Sequence, residues 1–250
     1  MSTPDTFTDT AQAKTASTPR AEGRFRLPDV PEREPDDMTS AEHLSETGLH
    51  HHLKQFLGHT ETTIVSGEKY LLAQRGAEMR YPDLMVAFGV DPQLYRETNG
   101  YVVSEHGKPP DLVLEIASEG TGHIDVGEKR EFYQSLGIPE YWRFDATGEY
   151  HGTRLAGDRL VDGRYEPIDV AELASGALEG HSVVLDLNWR WFEGRLDCHD
   201  PATGLPIATF ESERARANTE QVRADTEQAR ANAAEARVRE LQERLRHQSP

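Results

Sequence analysis

A single cysteine, Cys198, stands in 250 residues. It excludes an internal disulfide and any zinc site built from several thiolates, and a reducing cytoplasm is the expected compartment. No apolar run approaches the ~20 residues that a membrane-spanning helix needs. The N-terminal stretch lacks the apolar core of a signal peptide, so neither a membrane anchor nor standard secretion is expected. Positive charge is also scarce: 27 Lys and Arg face 44 Asp and Glu, a net charge of −17. Residues 51–210 hold 26 acidic and 14 basic residues, or −12, whereas residues 211–250 hold eight of each. Such a balance argues against tight non-specific binding to a polyanion, which relies on Lys and Arg contacts to phosphate. A nucleic-acid substrate would require a metal-loaded acidic site, a local basic groove or a partner subunit to offset it.

The centre of the chain is richer in apolar residues and has room for a substantial core. Residues 1–37 are dominated by Ser, Thr, Pro, Asp and Arg and are expected to be a disordered arm. Thr39-Ser40-Ala41-Glu42 has the form of a capping box, and Leu49, Leu53, Phe56 and Leu57 share one helical face. Strands are expected at Thr62–Val65 and Tyr70–Ala73, joined as a hairpin by Ser66-Gly67-Glu68. Leu84–Phe88 is a further strand. A long polar connection with Asn99-Gly100 and Lys108-Pro109-Pro110 leads to a buried strand over Leu112–Ala117. A helix over about Asp125–Leu136 ends at Gly137 and Pro139, and Tyr141–Asp145 is the next strand. This strand, helix, strand succession implies a right-handed crossover. The class is α/β, a mixed central sheet with flanking helices, spanning residues 38–210.

The last forty residues form a repeat. Arg216, Arg223, Arg230, Arg237 and Arg244 recur every seven positions, followed by Ala217, Ala224, Ala231, Val238 and Leu245. With no Gly or Pro before Pro250, residues 211–250 read as one long helix. Its seam is mostly alanine and becomes apolar only at Val238, Leu241 and Leu245, so a homodimeric coiled coil would be weakly specified.

Three charged residues stand where their surroundings call for neutral ones. Asp83 follows Tyr81-Pro82 and opens the apolar run Leu84-Met85-Val86-Ala87-Phe88. Glu115 lies inside Leu112-Val113-Leu114-Glu115-Ile116-Ala117, apolar on both faces. Lys129 shares a helical stripe with Val126, Tyr133 and Leu136. Burying an unpaired charge is very expensive, so such groups pair with each other or bind a metal. Two carboxylates on neighbouring strands can share a hard cation such as Mg²⁺ (or Mn²⁺), which would lower the pKa of a bound water and neutralise a scissile phosphate. A nearby lysine could orient or deprotonate that water or stabilise the transition state. Asp125, four residues before Lys129, could hold its ammonium.

Tyr81-Pro82-Asp83, the run from Pro110 to Ser118, Asp125 with Lys129 and Tyr133, and the run from Gly137 to Asp145 resemble the Uma-type restriction endonuclease family, a branch of the PD-(D/E)XK nuclease superfamily. The resemblance spans about residues 40–195. It implies a mixed-sheet nuclease core, divalent-metal hydrolysis of phosphodiester bonds and a nucleic-acid substrate, DNA first. Asp83 and Glu115 match the family's metal-binding acids. Ala117 stands where the superfamily motif has its lysine, so Lys129 on the following helix takes that place. The rival reading is an inactive nuclease fold that assembles through its helical tail.

Other signals read as structural. Asp111 lies four strand residues from Glu115, about 13 Å at ~3.3 Å per residue, too far to share an ion; it is expected to cap a strand. Consecutive helical residues diverge by about 100°, so His50-His51-His52 cannot all ligate one metal. Trp189, Trp191 and Phe192 are expected in packing rather than base stacking. Gly120 and Gly122 do not make a phosphate loop, since no Gly-Lys-Ser/Thr follows.

Overall fold

The computed structural model describes residues 25–30, 48–207 and 210–248. The capping box at Thr39–Glu42 and most of the arm expected over residues 1–37 lie outside them. Residues 25–30 are docked: Leu27 is buried with Leu72 and Val102, and its amide donates to the Thr98 carbonyl at 2.8 Å.

The described elements are α1 (Leu49–Leu57), β1 (Thr63–Ser66), β2 (Tyr70–Leu72), β3 (Met79–Arg80), β4 (Leu84–Phe88), α2 (Pro92–Thr98), β5 (Gly100–Val102), α3 (Val103–His106), β6 (Leu112–Ile116), α4 (Gly122–Val126), α5 (Glu128–Leu136), β7 (Glu140–Phe144), β8 (Leu155–Val161), β9 (Arg164–Ile168), β10 (Val170–Glu172), β11 (Leu178–Ser182), β12 (Leu187–Phe192), β13 (Arg195–His199) and α6 (Phe210–Gln248). A six-stranded sheet has the order β1-β4-β6-β7-β8-β9, with β6 and β7 parallel and its other neighbours antiparallel. Smaller sheets, β10-β11-β12-β13 and β3-β2-β5, flank it. The class is mixed α/β, as the sequence implies.

Strand alternation divides the large sheet into two apolar faces. On one face, Leu84, Val86, Leu112, Leu114, Trp142 and Phe144 pack with Trp189 and Leu187 of the four-stranded sheet. On the other, Met85, Ala87, Val113 and Tyr141 pack with Tyr133 of α5. Glu115 falls on this second face, two residues after Val113. Trp189 is fully buried and Trp191 nearly so, as expected of packing residues, while Phe192 is 40% exposed.

The expected hairpin between β1 and β2 does not form. β1 pairs instead with β4, and β2 with β3 and β5. Gly67 explains the choice: a Cβ there would sit 1.8 Å from the Asp83 carbonyl oxygen, so only glycine lets the chain run against that backbone. The Glu68 amide donates to the Pro82 carbonyl at 2.9 Å. The turn therefore clamps the segment carrying Asp83.

Two further expectations are revised. The polar connection before β6 contains α2, β5 and α3, with Asp91 capping α2 through the Gln93 amide. The single helix over Asp125–Leu136 is two, α4 and α5, broken at Gly127. Asp111 caps as expected, accepting from the Phe88 amide at 2.8 Å and from Lys108.

Candidate active site

The register of β4 against β6 brings the two acids together. Leu84 lies opposite Leu114 and Met85 opposite Val113 in an antiparallel ladder, and extending that register by one residue beyond β4 puts Asp83 level with Glu115. Directly opposed residues share a face, with Cβ atoms about 4.5–5.5 Å apart. Asp83 Oδ2 accepts from the Ile116 amide at 2.8 Å, fixing the strand entrance.

Lys129 reaches down from α5. Its Nζ lies 2.8 Å from Glu115 Oε2 and 2.8 Å from Asp125 Oδ1, so the break at Gly127 still permits the expected Asp125–Lys129 pair. Glu115 is wholly buried, and its Oε1 accepts from the Tyr133 hydroxyl at 2.5 Å. Burial pushes the Glu115 carboxyl up; Lys129 pulls it down, but Asp83 and Asp125 add to the rise, to about 8. Burial alone would lower the Lys129 ammonium, and Glu115, Asp125 and Asp83 more than reverse this, holding it above its ordinary value. Three carboxylates thus converge on one ammonium. Carboxylates outnumber the ammonium, which favours protonation of the cluster or the arrival of a further cation.

Two participants escaped the sequence reading. The Tyr133 hydroxyl, which the sequence places on an apolar stripe and within the family resemblance but to which it assigns no role, anchors Glu115. His151 is buried, with Nε2 3.0 Å from Asp125 Oδ2. A loop centred on Asp145 delivers it: the Asp145 carboxylate accepts from the amides of Thr147, Gly148, Tyr150 and His151. Burial would raise the Asp145 carboxyl, but those backbone donors more than offset this and hold it low. Gly122 completes the junction, because a Cβ there would lie 2.6 Å from Tyr150 Cβ. The sequence 145–148 signals a turn, but nothing local links His151 to Asp125 twenty-six residues earlier.

Asp83, Ile116, Ser118 and Lys129 line a pocket of about 360 Å³, whose rim includes Arg80, Tyr81 and Glu128. Arg143, opposite Glu115 on β7, is engaged with Asp158, as is Arg130 of α5. Among the described residues, no cluster of three or more His, Cys, Asp or Glu side chains forms a metal cage, and His50-His51-His52 makes none. Two carboxylates completed by water and phosphate oxygens are nonetheless the kind of donor set Mg²⁺ favours.

No curated protein matches the chain. A solved structure described as "a putative nuclease belonging to DUF820" from Anabaena variabilis ATCC 29413 is similar at 16% identity, covering 57% of this chain and 71% of that one, with a TM-score of 0.36. No helix of the described residues is long and apolar enough to cross a membrane. The family model of Uma2, "putative restriction endonuclease", matches residues 39–189, more than half the chain and the whole span from α1 through the acid pair to β12. The chain belongs to that family.

Proposed function

We propose that this protein is a divalent-metal-dependent endonuclease that hydrolyses DNA phosphodiester bonds in the pocket lined by Asp83 and Lys129, with Glu115 buried directly behind it. One observation carries the reading: Asp83 and Lys129 line one pocket, and directly behind it Lys129 is paired with the buried carboxylate of Glu115 on the strand next to Asp83. Asp83 and Glu115 would hold the ion, and the surplus of carboxylate over ammonium makes a divalent cation a fitting complement. When bound, Mg²⁺ or Mn²⁺ supplies charge neutralisation at the phosphate and a water of lowered pKa. Lys129, held as an ammonium, offsets the negative charge that develops on the phosphoryl oxygens, a role that needs no proton transfer. Asp125 positions the lysine, His151 fixes Asp125, and Tyr133 orients Glu115. Plasmid DNA incubated with Mg²⁺ or Mn²⁺ should be nicked or linearised, and EDTA should stop it. Intact plasmid with both metals, and with single-stranded DNA also uncut, would overturn the reading.

His151 gives this account a test away from the pocket. His151→Leu should lower kcat about tenfold, since it acts through Asp125 and Lys129, with metal affinity unchanged. His151→Gln, which retains an N–H donor, should restore much of the rate. In an Asp125→Ala background the His151→Leu substitution should add nothing. Additive losses would assign His151 an independent role.

A second element of the proposal is a homodimer built through α6. The rival reading of a fold without turnover draws on the same helix and on the central charge of −12. α6 spans 39 residues, and Val222 and Val238 on it are 66% and 52% exposed. Its pairs run from Arg to a following Glu at Arg216–Glu220, Arg223–Glu227 and Arg237–Glu240. Glu240 is also paired with Arg244 one turn on. Exposed pairs of this kind contribute about 0.2–0.5 kcal/mol each, enough to support the helix but little towards pairing. Removing residues 211–250 should convert a concentration-dependent dimer into a monomer while the catalytic core stays folded. The same number of chains per particle by sedimentation with and without the tail would reject the dimer through α6.

A further inference from the structure

We propose that Arg80 is the phosphate-binding side chain of this pocket, held in reserve by Glu78 and Glu128; the inference rests on the nuclease reading above and names the group that receives the DNA backbone. The chain's acidity poses the problem. A centre of charge −12 must attract a polyanion, and most of its well-placed cations are already engaged. Lys129 is locked between Glu115 and Asp125, and Arg130 and Arg143 both grip Asp158. Among the described residues lining the pocket, Arg80 is the one cation besides Lys129.

Its surroundings suit an exchange of partners. Arg80 leaves β3 three residues before Asp83, on the segment that Gly67 and Glu68 clamp. One terminal nitrogen lies 2.5 Å from Glu78 Oε1 and 3.6 Å from Glu128 Oε2, yet these carboxylates are 60% and 74% exposed. Ion pairs with such exposed partners are worth little, about 0–1 kcal/mol. The guanidinium rests 5.7 Å from the centre of the Phe132 ring, which supports it from one side. Its Nε is buried and has no hydrogen-bond partner. A guanidinium binds phosphate through two parallel N–H donors, so a side chain with one donor unsatisfied and another in a labile pair gains on turning to a phosphate oxygen. Glu78 and Glu128 then behave as internal competitors: they occupy Arg80 without DNA and are displaced by it. They also disfavour weaker anions, which helps an acidic protein discriminate a duplex from stray phosphate.

The test uses the full chain and a fluorescein-labelled DNA duplex, with anisotropy measured in Ca²⁺ across a salt series and cleavage followed in parallel in Mg²⁺. Arg80→Ala should weaken binding about tenfold and reduce the slope of log Kd against log salt by about 0.9, the signature of one lost phosphate contact. Arg80→Lys should recover the slope but only part of the affinity. Glu128→Gln should tighten binding several-fold, and that gain should vanish in an Arg80→Ala background. Unchanged affinity and slope in Arg80→Ala, with wild-type cleavage intact, would overturn the assignment, as would an equal Glu128→Gln gain in both backgrounds. Wild-type protein that neither binds nor cuts the duplex would instead overturn the nuclease reading, and this inference with it.

Discussion

Glu115→Gln is expected to abolish metal-dependent cleavage, by on the order of 10³-fold, while making the metal-free protein more stable at neutral pH. Glutamine keeps the volume and one carbonyl oxygen for the Lys129 ammonium, and its amide N–H donates to the Tyr133 hydroxyl oxygen in place of the bond Glu115 accepts. It removes a carboxylate from a buried cluster that already holds Asp83 and Asp125. The sign of the pH effect follows from the raised carboxyl. An unfolded glutamate ionises near 4.5, whereas Glu115 in the fold holds its proton to about 8. Between those values the unfolded chain binds fewer protons, so this group's contribution to stability is complete below about 4.5 and is lost as pH rises to about 8. Melting the metal-free wild type and Glu115→Gln at pH 5 and at pH 8 should show a Tm difference that grows with pH in favour of the variant. A constant difference would contradict the assigned charge state. The companion substitution is Asp83→Asn rather than alanine. Asp83 accepts the buried Ile116 amide, and stranding that donor would cost about 1–3 kcal/mol and confuse folding with chemistry.

Lys129→Ala has the second large effect. Turnover should fall on the order of 10²–10³-fold, with metal and DNA affinity changed only a few-fold, because the ammonium acts on charge that develops during the reaction. The fold should also suffer. Glu115 and Asp125 would lose their shared cation, and breaking a buried pair from one side costs about 3–5 kcal/mol. Added Mg²⁺ or Mn²⁺ should recover part of that loss in Tm without restoring the rate, which separates charge compensation from catalysis. Equal losses in affinity and rate would make Lys129 a phosphate anchor instead.

Much of this site was legible in the sequence because burial of charge is so costly. Glu115 between apolar neighbours and Lys129 on an apolar stripe demanded partners, and each is found paired with the other. Strand alternation then put Asp83 on the same face. What local pattern could not supply was long-range pairing. Ser66-Gly67-Glu68 has the composition of a hairpin turn, yet Gly67 is there for a close approach to Asp83, and the two strands take other neighbours. Gly127, at φ −112° and ψ −96°, splits a helix whose apolar spacing runs straight through it. His151 carried no signal: its loop is shaped by Asp145, and its partner sits on α4, brought near by the fold alone. Nothing in the residues around Arg80 marks it; β3 brings it to the pocket.

Calorimetric titration of Mn²⁺ into the metal-free protein at pH 7 tests the central claim most directly. Burial raises the Glu115 carboxyl, so a metal ion taken up by Asp83 and Glu115 is expected to release a proton, and the heat should vary with the ionisation enthalpy of the buffer. The account predicts saturable binding to wild type with proton release, and its loss in both Glu115→Gln and Asp83→Asn. Binding that is absent in the wild type, or that survives unchanged in both variants, would contradict it.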